Sequence, residues 1–322
     1  MKKIRHLHGS FFSQQRVPVN PQIFGTLNLH RRELSSSQAS VPLVSIIIPT
    51  YNESQNIINL IQSIRRYTEN LFSAEIIVVD DISPDKTGII VKEYADKMYS
   101  QKICQRQYSA GDQQIQQVVS VRVICRNSKE GLVSAVLCGM KNSLGKYILV
   151  LDADFSHPPN LVVDMVNELR NSHYDIISGS RYLKGGQIIG WPFRRRAISK
   201  FATLLARTIL RLNHITDPMS GFFAFKRDIM AGITFNTSGF KLLLEILVKA
   251  DGAKVKEIPY SFTDRKAGSS KLSSKVILEF AKALLHLYAY YITKQPGNKQ
   301  KKQIKSENLG IDVSSFVKSH VQ

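Results

Sequence analysis

Short apolar runs alternate with segments of helical periodicity along the chain from Val44 to about residue 180. The apolar runs predict five β-strands, with the sequences VSIII, EIIVV, VSVRVI, YILVL and DIISG. In three of the segments between them, apolar side chains recur at positions i, i+3 and i+4, which predicts helices over residues 57–64, 91–98 and 162–169. This alternation indicates an α/β fold with helices on both faces of a mostly parallel sheet.

Three segments lack this pattern. Residues 1–42 contain Ser, Arg and His with one acidic residue, Glu33, and residues 294–322 are polar and rich in Lys, so we expect two basic, disordered tails. Residues 100–117 are rich in Gln without a helical period, which predicts a surface insertion. The remaining residues, 43–293, are expected to form one domain.

Two segments in the second half of the chain have the pattern of amphipathic helices. Residues 199–212 predict a helix of the kind that usually packs on its own domain. Residues 275–293 place on one face the apolar side chains of Ile277, Phe280, Leu284, Leu287 and Tyr291. Such a face can lie in a membrane interface. No run of 18 or more uncharged apolar residues occurs, so we expect peripheral attachment to a membrane without a spanning helix.

Composition narrows the class of partner. The chain has 322 residues, of which 43% are hydrophobic, and can bury a sizeable core. Its formal charge of +19 predicts an anionic partner: a nucleic acid, a phosphate-rich substrate or an acidic membrane surface. The basic residues cluster near the ends of the chain and in FRRRAISK (193–200), without the interleaved aromatic residues of a platform that binds single strands. Nucleic acid is therefore not expected.

Polar side chains follow four of the predicted strands where each strand ends. In chain order they lie in PTYNES (49–54), Asp80 and Asp81, DAD (152–154), and Ser180 and Arg181. Ligands of open parallel sheets bind beyond these strand ends. Asp152 and Asp154 point the same way, as residues i and i+2 of an extended segment do, and two carboxylates beside a core strand favour a shared cation.

The same two residues admit a structural interpretation, in which Asp154 caps the following helix and Asp152 is a solvated strand end. The chain contains neither GxxxxGK[ST] after a strand nor GxGxxG at the start of a helix. The phosphates of a bound nucleotide would therefore have to be held in another way. A divalent cation on Asp152 and Asp154 would suffice, because Mg²⁺ typically takes one or two carboxylates plus substrate phosphates.

Six motifs occur in a characteristic order and spacing: PTYNE (49–53), VVDDISPDKT (78–87), DADFSHPP (152–159), GSRY (179–182), SGFFAFKR (220–227) and RKAGSSK (265–271). Together they resemble those of the dolichol-phosphate mannose synthases and related polyprenyl-phosphate sugar synthases of glycosyltransferase family 2. The resemblance implies a GT-A fold and an inverting transfer of a sugar from a nucleotide diphosphate sugar to a lipid phosphate. The implied donor is GDP-mannose, with UDP-glucose as the alternative, and the implied acceptor is dolichyl or polyprenyl phosphate.

The resemblance also implies roles for individual residues. The nucleoside would contact Pro49, Tyr51, Glu53, Val79 and Asp81. The diphosphate and its Mg²⁺ or Mn²⁺ would contact Asp152, Ala153 and Asp154, with Ser156 at the position of a third metal ligand. The phosphates would be surrounded by Arg181, Arg265 and Lys271, and the acceptor phosphate would be bound by Arg195 and Ser199. The residues expected to act in the reaction are Asp154, Arg181, Arg195 and Ser199.

This chain departs from the family pattern at two positions. Ile82 stands where the family usually has Gly, and Ser156 where some members have a metal-binding Gln. Many relatives also carry C-terminal membrane helices or bind a small membrane subunit. We expect this chain to be peripheral on the cytoplasmic face of a membrane: the endoplasmic reticulum in a eukaryote or the plasma membrane in a prokaryote. The resemblance admits a small anchoring subunit as a further partner.

The expected chemistry needs cations more than a base. A monoalkyl phosphate is largely dianionic near neutrality, because its second pKa is about 6, so no general base has to activate it. Arg195 and Ser199, spaced i and i+4, would present one helix face to it. A metal-dependent phosphatase of the haloacid dehalogenase type is the alternative enzyme. Its DxDxT usually follows the first strand, whereas Asp152 follows the fourth predicted strand and Ser156 replaces the Thr.

Overall fold

The computed structural model describes residues 41–108, 118–235, 241–264 and 274–294. Its strands are β1 (Val44–Thr50), β2 (Ala74–Asp80), β3 (Val119–Cys125), β4 (Tyr147–Val150), β5 (Ile176–Ser180), β6 (Gln187–Ile189), β7 (Phe223–Lys226), β8 (Val255–Pro259) and β9 (Ser261–Thr263). Its α-helices are α1 (Ile57–Thr68), α2 (Thr87–Tyr108), α3 (Leu132–Lys141), α4 (Leu161–Asn171), α5 (Phe193–Ile209), α6 (Leu242–Lys249) and α7 (Ser274–Lys294). The predicted tails lie almost entirely outside the described residues.

Seven strands form the main sheet, in the order β3-β2-β1-β4-β7-β5-β8. Strand β7 is antiparallel to both β4 and β5, and every other neighbouring pair is parallel. The predicted mostly parallel sheet is therefore confirmed, and all five predicted strands are present. Strands β6 and β9 pair in parallel as a separate small sheet.

Both faces of the main sheet are covered, as the sequence predicts. One face packs against α1 and α4, and the apolar stripes predicted for these helices are buried. The other face packs against α3 and α6. The strands β1 and β2 are buried along their whole length, which accounts for their nearly uninterrupted apolar runs.

Helix α2 is longer than its apolar stripe. It continues to Tyr108, so the first part of the predicted surface insertion, residues 100–108, is helical. The helix continues there because Gln, Lys and Arg have high helix propensity even where no apolar stripe repeats. Residues 109–117 lie outside the described residues.

A third apolar cluster joins the end of α5 to α6 and α7. It includes Ala206, Leu244, Leu284 and Leu287, and Phe280 packs against it half-buried. Much of the apolar face predicted for residues 275–293 therefore packs inside the protein. A different set of apolar side chains on α7 is exposed: Leu278, Leu285, Tyr288 and Ile292, together with Ile277.

In the described part of the chain, no helix combines the length and the apolar character needed to cross a membrane.

Candidate active site at the carboxyl ends of the strands

The predicted polar residues lie along one rim of the sheet. Strands β2, β1 and β4 are adjacent and parallel, so the segments that follow them, at Asp81, Tyr51 and Asp152, emerge side by side. Strand β5 runs in the same direction, because two antiparallel pairings through β7 restore it, and it delivers Arg181 to the same rim. The sheet topology thus brings together the four strand ends named from the sequence.

The segment after β4 carries the two carboxylates. The backbone N–H of Asp152 donates to Nδ1 of His157 at 2.9 Å, and the backbone N–H of Ser156 donates to Asp154 Oδ1 at 3.0 Å. Phe155, between them, has a positive φ of 59°. The segment therefore forms a tight turn whose backbone is fixed by side chains of its own, rather than an extended strand end.

His157 supports Asp152 from inside the core. The residue is 1% exposed, and its ring stacks on Phe222 with ring centroids 5.1 Å apart. Burial lowers the pKa of His157, which keeps the imidazole neutral near pH 7. Because Nδ1 accepts a hydrogen bond, the proton of the neutral ring is on Nε2, which lies 3.8 Å from Asp152 Oδ2.

The residues after β4 fit a divalent cation that also takes ligands from a substrate. Within the described ranges, no group of three or more His, Cys, Asp or Glu side chains could hold a metal ion without such help. Asp152 and Asp154 supply two carboxylates, a donor set that suits a hard cation. The hydroxyl oxygen of Ser156 is buried and has no hydrogen-bond partner among the described residues, so it is available as a further oxygen ligand.

Asp81, expected at the nucleoside, already has protein partners on both carboxylate oxygens. Oδ1 accepts from the backbone N–H of Glu130 at 3.1 Å and Oδ2 from that of Gly131 at 2.8 Å. Arg126 Nη1 lies 3.0 Å from Oδ1, and both side chains are nearly buried, at 7% and 6% exposure. Asp81 therefore fixes the loop that enters α3, whatever else it contacts.

Other residues expected at the nucleoside, and Ala153, expected at the diphosphate, differ in what they can offer. Val79 and Ala153 are buried, so only their backbone atoms can reach a ligand. Tyr51 is 39% exposed, and the ammonium of Lys129 lies 3.2 Å from its ring centroid. Glu53 accepts from Asn56 Nδ2 at 2.9 Å. Tyr51 thus presents the largest accessible surface of this group.

A set of side chains from the VVDDISPDKT motif holds the PTYNES loop. Ser83 Oγ accepts from the backbone N–H of Asn52, Thr87 Oγ1 from that of Glu53, and Asp85 Oδ2 from that of Ser54, each at 3.0 Å. These bonds join the ends of β1 and β2 into one surface. Ile82, in the turn that follows β2, has a positive φ of 58° and is 50% exposed.

Arg181 is held by a bidentate ion pair. Its Nε and Nη2 donate to Asp217 at 2.7 and 2.9 Å, and the two side chains are 9% and 0% exposed. Burial alone would lower the pKa of Arg181, but the hydrogen bonds and charge of Asp217 raise it. Glu257 accepts in turn from the backbone N–H groups of Thr216 and Asp217, at 2.6 and 2.9 Å. Arg181 is therefore a rigid cation.

Arg195 and Ser199, the predicted acceptor residues, lie one turn apart on α5. Arg195 Nη1 donates to Asp264 Oδ2 at 2.8 Å, and its guanidinium lies 4.0 Å from the ring centroid of Trp191. Ser199 Oγ accepts from the hydroxyl of Tyr182 at 2.8 Å. The other predicted phosphate ligands, Arg265 and Lys271, lie outside the described residues.

Comparison with known proteins identifies the family. The family model described as Glycosyl transferase family 2 matches residues 45–234. The chain belongs to glycosyltransferase family 2. A dolichol-phosphate mannosyltransferase from Pyrococcus furiosus is 40% identical over 246 residues, covering 76% of this chain and 62% of that protein. The chain thus spans less than two thirds of that relative's length. The dolichol-phosphate mannosyltransferase of Saccharomyces cerevisiae is 34% identical over 264 residues, covering 76% of this chain and 87% of that protein.

Solved structures show the fold of this family 2 glycosyltransferase. Glucosyl-3-phosphoglycerate synthase from Mycobacterium tuberculosis, solved with Mn²⁺ and UDP-glucose, superposes with a TM-score of 0.53 at 18% identity, covering 80% of this chain and 83% of that one. Mannosyl-3-phosphoglycerate synthase from Rubrobacter xylanophilus gives a TM-score of 0.51 at 16% identity, covering 84% and 79%. These likenesses concern the fold alone, and they confirm the predicted GT-A fold.

Four residues that the structure places around the candidate site were missed from the sequence: His157, Asp217, Trp191 and Lys241. His157 stands inside the DADFSHPP motif, and its position there was the available signal. Lys241 precedes α6 near Arg181 and Asp152, and burial lowers the pKa of its ammonium. Asp217 and Trp191 stand in loops without a periodic pattern, so only the folded chain brings them to the arginines.

Proposed function

We propose that this glycosyltransferase transfers mannose from GDP-mannose to dolichyl or polyprenyl phosphate, with inversion at the sugar carbon. The names of the curated relatives support the reaction. The observation that carries it is a pair of cations, Arg181 and Arg195, beside one aromatic ring near the rim that carries the DAD turn. Arg181 follows β5 at the same rim of the sheet. The guanidinium carbons of Arg181 and Arg195 lie 5.6 and 4.0 Å from the ring centroid of Trp191. A site with two anionic substrates requires such paired cations.

Asp152 and Asp154 are the proposed ligands of Mg²⁺ or Mn²⁺, with Ser156 Oγ as a further oxygen. When bound, the cation would neutralise charge on the leaving diphosphate. His157 holds the backbone of Asp152, and the Ser156 N–H holds the carboxylate of Asp154. This support keeps the two carboxylates oriented before the donor arrives, and such outer contacts commonly set metal affinity.

The acceptor phosphate is proposed to bind Arg195 and Ser199. Ser199 already receives the hydrogen of Tyr182, so its own hydroxyl hydrogen can be donated to a phosphate oxygen. Because the phosphate arrives as a dianion, the site needs no general base, and its task is to hold two anions in reach of each other. Arg265 and Lys271 are proposed as further phosphate ligands on the family motif.

Substitution of Asp154 by Asn tests the reaction and the metal site together. Transfer of mannose from GDP-mannose to farnesyl phosphate should fall about 100-fold, because the leaving charge loses its stabilisation. Calorimetry should show weaker Mn²⁺ binding in the presence of GDP, while the unfolding midpoint stays unchanged. Asp164→Asn, an exposed position on α4, is the matched control. Normal transfer by Asp154→Asn would refute the metal site, and a wild type that uses UDP-glucose in preference to GDP-mannose would refute the donor.

The surface of α5 and α7 supports a peripheral position on a membrane. Phe193, Phe201 and Leu204 on α5 are 82%, 66% and 58% exposed, and Leu285 on α7 is 68% exposed. Exposed apolar side chains on helices that also carry Lys and Arg suit the interface of an anionic membrane. Because Arg195 and Ser199 are on α5, this attachment would place the acceptor site at the lipid headgroups.

Flotation with anionic liposomes tests this attachment. The protein should float, and Phe201→Ser with Leu204→Ser should reduce flotation while transfer to farnesyl phosphate in detergent is retained. High salt should release part of the protein, because the electrostatic share of binding is screened. Protein that stays in solution with such liposomes would contradict the proposal. We also propose that the protein attaches to the cytoplasmic face of the membrane, where a small anchoring subunit can assist the attachment.

A further inference from the structure

Arg195 is held from two directions. Asp264 accepts a hydrogen bond from Nη1 at 2.8 Å, and the indole of Trp191 lies under the guanidinium at 4.0 Å. The side chains of Arg195 and Asp264 are 21% and 26% exposed, so the pair sits at the edge of the site and not in the core. One contact fixes an edge of the planar group and the other fixes its face.

This arrangement leaves part of the guanidinium open. A guanidinium has five N–H donors, and Asp264 is the one hydrogen-bond acceptor that contacts those of Arg195 among the described residues. The remaining donors keep the planar fork that binds phosphate oxygens in pairs. Arg181 differs, since Asp217 takes both its Nε and its Nη2. Arg195 is thus the more open of the two cations.

Packing alone does not explain why a tryptophan stands at position 191. Its indole N–H is buried with no hydrogen-bond partner among the described residues, and a buried donor without a partner is unfavourable. A phenylalanine could make the edge contact with Phe262, now at 5.3 Å between ring centroids, without this cost. What the indole adds is the strongest cation–π surface of the aromatic side chains.

We propose that Trp191 and Asp264 are positioning residues that hold the Arg195 guanidinium open toward the acceptor phosphate. The proposal rests on the function given above and extends it to two residues outside the six motifs. Asp264 fixes the rotation of the guanidinium, and Trp191 keeps its plane. The guanidinium carbon of Arg181 also lies 5.6 Å from the ring centroid of Trp191. The ring therefore sets the spacing between Arg181, near the donor, and Arg195, at the acceptor phosphate.

Steady-state kinetics with GDP-mannose and farnesyl phosphate test the proposal. Trp191→Leu should raise the KM for farnesyl phosphate about tenfold, and Trp191→Phe about threefold, while the KM for GDP-mannose stays within about twofold. Asp264→Asn should also raise the acceptor KM. The unfolding midpoint of Trp191→Phe should equal or exceed that of the wild type, because the unpartnered N–H is gone. Arg194→Ala removes an exposed charge one residue away and serves as the control.

Fluorescence gives a readout that does not depend on transfer, since Trp191 is the only tryptophan of the chain. Farnesyl phosphate should change its emission in the wild type but not in Arg195→Ala. Unchanged acceptor KM in Trp191→Leu, equal increases in both KM values, or a lower KM in Asp264→Asn would overturn the proposal. If the emission responds but no sugar is transferred to farnesyl phosphate, the proposed reaction fails and the positioning of Arg195 stands.

Discussion

Substitution of Asp81 by Asn should separate a structural role from nucleotide binding. The amide keeps one acceptor oxygen, so one of the two backbone N–H groups, of Glu130 or Gly131, would face an NH₂ group instead of an acceptor. A hydrogen bond to a charged group contributes about 1.5–3 kcal/mol. Arg126 also loses a nearly buried counter-charge, although Glu130 still pairs with its Nη2 and Ser134 still accepts from the same nitrogen at 2.7 Å. Because Arg126 keeps Glu130, the main loss is the hydrogen bond, and we expect the free energy of unfolding to fall by about 2 kcal/mol.

Urea denaturation measures this loss, and calorimetry with GDP measures the consequence for binding. If Asp81 acts only by fixing the loop before α3, the double variant Asp81→Asn with Arg126→Met should be less destabilised than the sum of the single variants, and GDP affinity should recover in part. If Asp81 also contacts the base, GDP affinity stays low in the double variant. A single variant with the stability of the wild type would refute the reasoning from buried hydrogen bonds.

Two further predictions concern the surface between β1 and β2. Ile82→Gly should raise the free energy of unfolding by about 0.5–1 kcal/mol, because the positive φ of this position strains a β-branched residue. The control Ile89→Gly, on α2, should lower the free energy of unfolding by about 0.5 kcal/mol. Urea denaturation of both variants measures the two changes. Burial would raise the pKa of Asp85, but hydrogen bonds from Thr87 and Ser54 lower it. The ionised carboxylate therefore stabilises the fold above about pH 4, and this contribution is lost as the pH falls through the lower pKa of the folded state. The stability gap between the wild type and Asp85→Asn should narrow in acid, and a constant gap would contradict this.

The sequence predicts those elements whose burial is nearly complete. Strands β1 and β2 and helices α1 and α4 are buried on a full face or on both, so their apolar residues follow a clear period. Strands β6, β7 and β9 contain three or four residues each, too few to show a period. Their positions depend on pairing with distant strands, which no local pattern encodes.

The candidate site likewise has features that the sequence predicts and features that it does not. Its location was predictable, because the polar residues follow strand ends and parallel strands share a rim. The partners of its cations were not, since Asp217 lies 36 residues from Arg181 and Asp264 lies 69 residues from Arg195. Likewise, the stripe on α7 gave the right helix but not which apolar side chains stay exposed, because α5 and α6 cover part of it.

Three arginine–aspartate pairs in the described part of the chain differ in a way that assigns their roles. The arginine side chains of Arg126, Arg181 and Arg195 are 7%, 9% and 21% exposed, and their aspartate partners are 6%, 0% and 26% exposed. A buried pair is costly to break, because the remaining charge loses a partner without gaining water. The aspartates of the first two pairs, Asp81 and Asp217, therefore serve the framework of the site, and Asp217 holds Arg181 rigid within it. The third is exposed enough to exchange water for a phosphate, so loss of Asp264 should change acceptor binding far more than folding, and loss of Asp217 should do the opposite.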